Sequence, residues 1–322
     1  MTDEIREGLF RIEVPLPNNP LRSVNSYMIC GDDRSLIIDT GLNRPECLQA
    51  VEKGARKVGI DLAQADFFVT HFHTDHLGLV GEIAGEKSRV YFNQPELDWI
   101  MNWGGWDIMF DYGARNGFPR EQLQSAFRSH PGARFAPSRI PELQILSDGD
   151  PLRVGDYAFR AISTPGHSPG HICLYEPEQK LLVSGDHLLG DITPNIQCWS
   201  DEDNPLQAYL GNLEKVRQLE MELVLPGHRG LIRDPVKRID ELIAHHRRRL
   251  DEVLAILGDG PAHAYRVASQ MSWDIEADCW EVFPLMQKWF ATGEAIAHLR
   301  YLEEKGTIRR RLDGVETVYQ LP

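Results

Sequence analysis

Short apolar runs and stripes of helical spacing predict alternating strands and helices over the first 235 residues. Residues 26–30 and 35–39 are apolar runs divided by the turn residues 31–33, which predicts two neighbouring strands. A helix is predicted to begin at Pro45, because the apolar residues after it recur at helical spacing. This alternation indicates a layered α/β domain. Further strands are predicted at 66–70, 89–92, 157–163, 171–175, 180–184 and 223–225, and helices at 76–84 and 206–219.

The pattern changes after residue 235, where helical stripes dominate and a hairpin follows them. The predicted elements are helices at 236–257, 265–271 and 293–305 and strands at 307–311 and 316–321. Asp313-Gly314, between the two strands, is a preferred hairpin turn. Three helices followed by a hairpin is the element order of a winged helix. We therefore expect a catalytic domain at 1–235 and a winged-helix-like domain at 236–322.

An aromatic insert is predicted to interrupt the first domain at about residues 93–135. It is expected to be helical, with a break at Gly104-Gly105. Two interpretations, which do not exclude each other, are open: the insert caps the site and receives an apolar substrate, or it packs against the C-terminal domain or a second subunit of a homodimer. Its aromatic residues are Trp99, Trp103, Trp106, Phe110, Tyr112, Phe118 and Phe127.

Composition and charge narrow the class of protein. The 322 residues are 42% hydrophobic and 25% charged, which excludes a disordered or fibrous chain. Acidic residues outnumber basic ones by 48 to 34, giving a formal charge of −14. Such an excess of acid disfavours nucleic acid and anionic membranes as partners. A small-molecule substrate is therefore expected.

The N-terminal sequence, the lack of a long apolar run and the cysteines favour a cytoplasmic location. The sequence begins without the basic and apolar regions of a secretory signal, and no apolar run approaches the roughly 20 residues that span a bilayer. The five cysteines are odd in number and far apart, and none forms a Cys-x-x-Cys pair. This argues against a disulfide framework or a thiolate zinc site.

The sequence His71-Phe-His73-Thr-Asp75-His76 is the main candidate for chemistry. On an extended segment His71 and His73 project to the same face, and the turn after them brings Asp75 and His76 to the same place. Neutral imidazoles and carboxylates suit a divalent ion such as zinc. A chain of this composition contains such a pattern by chance only about 0.002 times.

Three more candidate ligands each follow a glycine at the end of a strand-like run. They are His167 after Gly166, Asp186 after Gly185 and His228 after Gly227. Glycine permits a sharp turn and lets the backbone pass close to a bound ion. Five histidines and two aspartates in loops can enclose two metal ions.

With these motifs the sequence resembles the metallo-β-lactamase superfamily over about residues 8–235. The motifs that carry the resemblance are Asp39-Thr-Gly41, Thr70 to His76, Pro165-Gly-His167, Gly185-Asp186 and Pro226-Gly-His228. It implies an αββα sandwich with the metals at one edge of the sheets. It further implies that His71, His73 and His167 bind one metal, that Asp75, His76 and His228 bind the other, and that Asp186 bridges them. The C-terminal part resembles the winged-helix extension of the lactamase-β-2-like branch.

Two cations about 3.5–4 Å apart would lower the pKa of a water between them, so that a bridging hydroxide attacks a carbonyl or phosphoryl centre. Asp75 is expected to act catalytically by orienting this hydroxide and carrying its proton. Zinc suits the ligands best, and iron and manganese are allowed.

Hydrolysis of a small-molecule thioester or ester, as in the glyoxalase II-like branch, is the expected function. The alternative is an endoribonuclease or phosphodiesterase acting on single-stranded RNA, which the winged-helix resemblance suggests. A persulfide dioxygenase and a metal-bearing sensor also remain open. Residues 240–322 contain ten basic and fourteen acidic residues, which disfavours double-helix binding by this module.

The remaining polar candidates are expected to support the site or to be neutral. Asp39 is expected to hydrogen-bond a ligand histidine or its loop, His171 to support the site or to close a strand, and His187 to line the cleft. His130, His263 and His298 are interpreted as surface or core residues. Residues 245–249, His-His-Arg-Arg-Arg, are interpreted as a solvated helix face, with an RNA-contacting patch as the alternative.

Overall fold

Two β-sheets face each other in the computed structural model, which describes residues 2–123, 130–275 and 277–322. The first sheet has the order β1 to β7; its neighbours are antiparallel up to β4 and parallel from β4 to β7. Its strands are β1 Thr2–Arg6, β2 Leu9–Pro15, β3 Ser23–Ile29, β4 Leu36–Ile38, β5 Asp66–Phe68, β6 Val90–Phe92 and β7 Leu143–Ile145.

The second sheet has the order β12-β11-β10-β9-β8 and is antiparallel except between β11 and β12. Its strands are β8 Pro151–Val154, β9 Tyr157–Ser163, β10 Ile172–Glu176, β11 Leu181–Gly185 and β12 Leu223–Pro226. The strands β7 and β8 were not predicted, because β7 has no buried residue and β8 alternates exposed and buried positions, so neither forms a buried apolar run.

Helices cover the outer faces of both sheets. They are α1 Pro45–Val58, α2 Thr74–Leu77, α3 Val80–Ile83, α4 Gln94–Met101, α5 Trp106–Arg115, α6 Pro131–Arg134, α7 Pro205–Arg217, α8 Pro235–Gly258, α9 Ala264–Gln270 and α10 Leu285–Glu304, with single 3-10 turns at Leu62–Gln64 and Trp280–Val282. The predicted helix at 76–84 is thus two short helices. In the described part of the chain, none of the helices is long and apolar enough to cross a membrane.

Three apolar layers hold the sandwich together. Tyr27 and Phe68 of the first sheet pack between the sheets against Phe159 and Leu174 of the second. The outer face of the first sheet packs on α1. The outer face of the second sheet packs on α7, α8, α9 and α10. The αββα prediction is therefore confirmed.

The C-terminal region has the predicted order of helices and hairpin. Its hairpin consists of β13 Arg309–Asp313 and β14 Glu316–Gln320, and Gly314 at the turn has a φ of 64°. The helices α8 to α10 share one continuous core with the second sheet. The domain boundary at residue 235 and the winged-helix description stay predictions.

The helix α10 begins eight residues before the predicted start at Gly293. The helix continues through Gly293, and the indole of Trp199 packs against the helix at this position. A Cβ at Gly293 would lie 2.6 Å from Cζ2 of Trp199. The same indole stacks on Trp289, with ring centroids 3.7 Å apart and an interplanar angle of 5°. Gly293 is therefore required for close packing and not for a turn.

The basic run at 245–249 is only partly solvated, which corrects the sequence interpretation. His246 and Arg249 are buried, whereas Arg247 and Arg248 are exposed. The helix α8 continues to Gly258, so its period places residues 246 and 249 on the same inner face as Leu242.

The aromatic insert packs against the C-terminal region. Gly104 and Gly105 separate α4 from α5, as predicted, and Gly105 has a φ of 84°. Phe118 and Leu123 pack on Trp289 of α10. This contact agrees with the packing interpretation of the insert. Phe127 lies outside the described residues.

Candidate metal centre

All seven predicted site residues lie together at one edge of the sandwich. His71 and His73 follow β5, and Asp75 and His76 lie on α2. The other three lie just beyond strands of the second sheet: His167 after β9, Asp186 after β11 and His228 after β12. Ile172 of β10 donates a backbone hydrogen bond of 3.1 Å to Thr70 O, which joins the two sheets beside the site.

The glycine before His228 allows the loops to approach closely. A Cβ at Gly227 would lie 2.3 Å from Oδ1 of Asp186 and 2.8 Å from Cε1 of His76. Any side chain at this position would displace the carboxylate of Asp186 or the ring of His76. Glycine at position 227 therefore allows a close approach, as expected, but the atoms that come close are those of Asp186 and His76.

Three imidazoles form the first half of the cluster, which we call the three-histidine half (His71, His73 and His167). Nδ1 of His73 lies 2.9 Å from Nε2 of His71 and 3.0 Å from Nε2 of His167. His167 donates its Nδ1 proton to Asn195 O at 3.0 Å, so its Nε2 carries a lone pair. Burial lowers the pKa of His73 to about 3, and it lowers those of His71 and His167 as well. Three neutral imidazoles thus converge on one point, as metal ligation requires.

The second half, which we call the aspartate half, consists of Asp75, His76 and His228. Nε2 of His228 lies 3.4 Å from Oδ2 of Asp75, and its Nδ1 donates to Ser23 O at 2.7 Å. Burial opposes protonation of His76 and His228, but the carboxylates around them raise both pKa values, that of His228 to about 10. The pKa of Asp75 is lowered by the same histidines against the effect of burial. The carboxylates thus favour positive charge in this half, which either protons on the two imidazoles or a bound cation can supply.

Asp186 lies between the two halves. Its Oδ2 is 3.6 Å from Nε2 of His167 and 3.4 Å from Nε2 of His228, and its Oδ1 is 3.5 Å from Nε2 of His76. Nε2 of His76, Nε2 of His228 and Oδ1 of Asp186 are buried without a hydrogen bond of good geometry. Buried polar atoms of this kind indicate a missing partner. The cluster is compatible with divalent metal binding; that these seven residues are the ligands stays a prediction.

Asp39 hydrogen-bonds both His76 and the start of the loop that carries His71, in agreement with the expectation that it contacts a ligand histidine or its loop. The backbone N–H of Thr70 donates to Oδ1 of Asp39 at 2.9 Å, and Nδ1 of His76 donates to its Oδ2 at 2.7 Å. The hydroxyl of Thr70 also donates to Asp39, and it therefore accepts from Nδ1 of His71 at 2.9 Å. This arrangement directs Nε2 of both His71 and His76 into the site.

The two neighbouring histidines differ in role. Nε2 of His171 accepts the backbone N–H of Asp186 at 3.2 Å, so it supports the loop that carries this carboxylate. His187 is fully buried between the rings of His171 and Tyr209 and does not line the cleft. Among the other histidines, His263 accepts from the backbone of Arg266 at the start of α9, and His298 is buried against His246.

Two supporting residues were missed by the sequence analysis. Glu96 is fully buried in the first turn of α4 and accepts hydrogen bonds from Phe72 N, Ser168 Oγ and Gly170 N at 2.8, 2.6 and 2.6 Å. Burial raises the pKa of Glu96 to about 7, against the effect of these bonds. Asn195 is the residue whose carbonyl accepts from His167. The sequence contains no signal for either, because an acid in a first helical turn and an asparagine in a loop are both common.

An aromatic run extends from the three-histidine half into the insert. The ring of Phe72 lies 4.8 Å from that of His73 and stacks on Trp99 at 4.1 Å. The ring of Trp103 follows at 4.5 Å from Trp99, and that of Trp106 at 5.0 Å from Trp103. Trp99 and Trp103 are partly exposed, so the run offers an apolar surface beside the cluster.

Comparison with known proteins gives the same family for both parts of the chain. Residues 19–228 match the metallo-beta-lactamase superfamily, and residues 250–320 match the metallo-beta-lactamase-like C-terminal domain. The structure is similar to that of a metallo-beta-lactamase family protein from Thermus thermophilus, with a TM-score of 0.84 and 30% identity over 99% of this chain and 100% of that one.

Two relatives with named activities are more distant in sequence. The probable metallo-hydrolase YqjP of Bacillus subtilis (strain 168) is 25% identical over 97% of each chain. An atrochrysone carboxyl ACP thioesterase of Aspergillus fumigatus is 25% identical over 75% of this chain and 46% of its own length.

Proposed function

Because the chain belongs to the metallo-β-lactamase superfamily and is a metal-dependent hydrolase, we propose that it hydrolyses a small-molecule thioester or ester with two divalent metal ions. The observation that carries this proposal is the pair of adjoining ligand sets that share Asp186. Each set offers three side chains, and one carboxylate lies within 3.6 Å of histidines from both. Such a cluster suits two cations better than one.

The residues divide between the ions as the family resemblance implies. His71, His73 and His167 hold one ion, the aspartate half holds the other, and Asp186 lies between them. Zinc suits this donor set best, and iron or manganese would also be accepted. When bound, the two ions supply an activated water and an electrophilic pull on the substrate oxygen.

Asp75 is the residue that we propose to act on the reacting water. Its side chain is 16% exposed, whereas His228 beside it is buried, so Asp75 faces the open side of the cluster. Its low pKa keeps the carboxylate ionised at neutral pH. An ionised carboxylate in this position can accept a hydrogen bond from the attacking water, orient it and take up its proton.

The aromatic run favours an acyl substrate with an apolar part. The rings from Phe72 to Trp106 begin beside His73, so an apolar acyl group could lie along them while its carbonyl reaches the cluster. The thioesterase named among the relatives is consistent with this substrate class. The formal charge of −14 also favours a small molecule over a polyanion.

Cleavage of single-stranded RNA is the alternative, and the basic runs give it little support. Arg249 is buried and pairs with Glu294 at 3.7 Å. In the hairpin, Arg310 pairs with Asp201 and Glu303, and Arg311 pairs with Asp313. These arginines are therefore compensated by acidic neighbours within the protein.

The test is elemental analysis of the purified protein together with a hydrolysis panel of thioesters, esters, lactones, phosphodiesters and single-stranded RNA. We expect two metal ions per chain and turnover of thioesters or esters. His73→Ala and Asp186→Ala should abolish turnover and lower the metal content, because each removes a ligand. His245→Gln, a histidine of α8 outside the cluster, is the matched control and should behave like the wild type.

Two results would contradict the proposal. One metal ion or none per chain would remove the dinuclear assignment. Cleavage of single-stranded RNA with a steep salt dependence, while thioesters and esters remain intact, would establish the alternative.

A further inference from the structure

The helix α4 places a buried carboxylate against two loops of the cluster. Glu96 is fully buried, and its three hydrogen-bond donors are neutral groups: two backbone N–H groups and one hydroxyl. A carboxylate in such surroundings is costly to bury, and an apolar side chain would fill the space at lower cost. Its presence therefore needs a reason other than packing.

The donors to Glu96 belong to the two loops that meet in the three-histidine half. Phe72, which donates to Oε2, lies between His71 and His73. Ser168 and Gly170, which donate to Oε1, follow His167. These loops are 94 residues apart in sequence at the contact between His73 and His167. One carboxylate thus joins both segments that supply this set of imidazoles.

Further contacts hold α4 close to both loops. A Cβ at Gly170 would lie 2.7 Å from Oδ1 of Asn93 and 2.8 Å from the backbone N of Glu96, so the second loop passes directly against the start of α4. Trp99, one turn after Glu96, stacks on Phe72. The helix therefore contacts the first loop through a hydrogen bond and a ring, and the second loop through hydrogen bonds and its backbone.

We propose that Glu96 is a positioning residue for metal binding by His71, His73 and His167. By accepting from both loops, its carboxylate fixes their separation, and this separation sets the convergence of the three ring nitrogens. The proposal rests on the proposed function only in that these histidines hold a metal ion; it does not depend on which substrate is hydrolysed.

The variant Glu96→Gln tests this role with almost no change of shape. The amide has one acceptor oxygen, so its NH2 group must face either Phe72 N–H or Gly170 N–H, and one loop loses its bond. We expect one of the two ions to bind about 10–100-fold more weakly, because outer partners of metal ligands have effects of this size. The measurement is competition for zinc against a chelator, together with the absorption spectrum of the cobalt(II)-loaded protein, which reports the geometry of each site.

Two further variants separate positioning from general effects. Ser168→Ala removes one bond to Oε1 and leaves both backbone bonds, so we expect a smaller weakening of about threefold, the size of one neutral hydrogen bond. Glu46→Gln changes an exposed acid in the first turn of α1 and should leave zinc affinity unchanged. If Glu96→Gln does not fold, Ser168→Ala carries the test, and unchanged zinc affinity in that variant overturns the proposal.

The outcomes distinguish this inference from the proposed function. Wild-type affinity for both ions in folded Glu96→Gln, with or without a lower melting temperature, would overturn the positioning role. A wild-type protein that binds two zinc ions but hydrolyses no thioester or ester would overturn the proposed function and leave the role of Glu96 intact. A wild-type protein that binds no metal would overturn both.

Discussion

The two halves of the cluster are held by different parts of the molecule. In the aspartate half, His76 donates to Asp39 at the end of β4, and His228 donates to Ser23 O at the start of β3. Both supports belong to the first sheet. In the three-histidine half, His71 also reaches Asp39 through Thr70, but the other supports are Glu96 of the insert and the loop carbonyl of Asn195. One half is thus built on the sandwich, and the other depends in addition on segments added around it.

The halves also differ in charge. Burial keeps the imidazoles of the three-histidine half neutral, whereas ionised Asp75 and Asp186 draw positive charge to the other half. A cation beside carboxylates gains from charge even where the geometry is imperfect, but three neutral donors need accurate placement. We therefore expect the three-histidine half to be more sensitive to changes in its supports, and the following predictions test this difference.

Asp39→Asn should have the largest effect, because Asp39 supports His76 directly and His71 through Thr70. The amide NH2 would face a donor, either Thr70 N–H or Nδ1–H of His76. We expect one ion to bind about 10–100-fold more weakly and the free energy of unfolding to fall by about 1–3 kcal/mol, because a buried donor is left unpaired. Zinc competition and urea unfolding would measure the two effects.

A matched control for Asp39→Asn is Asp61→Asn, since Asp61 caps a single exposed turn. This control should leave zinc affinity unchanged. If Glu96→Gln weakened both cobalt(II) sites equally, Glu96 would not be specific to the three-histidine half and the comparison would be wrong.

Asn195→Ala should have a smaller effect, confined to the three-histidine half. Its side-chain NH2 donates to Glu294 of α10 at 2.7 Å, while its backbone carbonyl accepts from His167. Alanine keeps the carbonyl but releases the loop from α10. We expect about two- to tenfold weaker binding of one zinc ion, equivalent to one lost hydrogen bond.

The control for this prediction is Asn204→Ala. Asn204 also donates to a glutamate of α10, Glu304, and it caps α7, so its loss should reduce stability by about 1 kcal/mol without changing zinc affinity. Equal zinc affinities of Asn195→Ala and the wild type would show that the C-terminal region does not support the cluster.

The smallest expected effect on the cluster is that of His298, which acts on the pH dependence of stability and on the C-terminal support alone. Burial lowers the pKa of His298 to about 3, and its Nδ1 donates to the carbonyl of Glu294. The unfolded chain binds a proton at His298 below its ordinary pKa of about 6.5, but the folded protein does not until near pH 3. Stability from this group is therefore present above pH 6.5 and is lost as the pH falls through this window.

His298→Gln should make the pH dependence of unfolding shallower between pH 6.5 and about 4, by up to about 1.4 kcal/mol per pH unit. Urea unfolding of wild type and variant across this range would measure the difference. Parallel curves for the two proteins would mean that His298 is protonated in the folded state and that acid does not act on this support.

The meeting of the seven residues at one edge could be predicted from the sequence, because five of them follow a strand: His71, His73, His167, Asp186 and His228. Glycine followed by a histidine or aspartate after an apolar run is a local pattern, and the sheets bring such ends to one edge. Glu96 and Asn195 could not be found in this way, since each acts through contacts with distant segments. Sequence spacing does not reveal which segments meet in three dimensions.

The fold predictions failed where packing overrode local signals. The predicted helix begins at Gly293, whereas α10 begins at Leu285 and packs against the indole of Trp199 at Gly293. The charge run at 245–249 was interpreted as solvated, but the period of α8 turns His246 and Arg249 inward. In both places a residue type lies in an unusual environment: a glycine inside a helix, and a histidine and an arginine in the protein core. The cause in each case is a packing partner far away in sequence.

The stacked indoles of Trp199 and Trp289 form an intrinsic spectroscopic probe. Two parallel indoles 3.7 Å apart couple their electronic transitions, which produces a near-ultraviolet circular dichroism signal that depends on their spacing. The insert packs on the same Trp289, since a Cβ at Gly113 of α5 would lie 2.7 Å from its ring. Movement of the insert away from α10 would therefore change this signal, and docking of the insert can be followed in solution without a label.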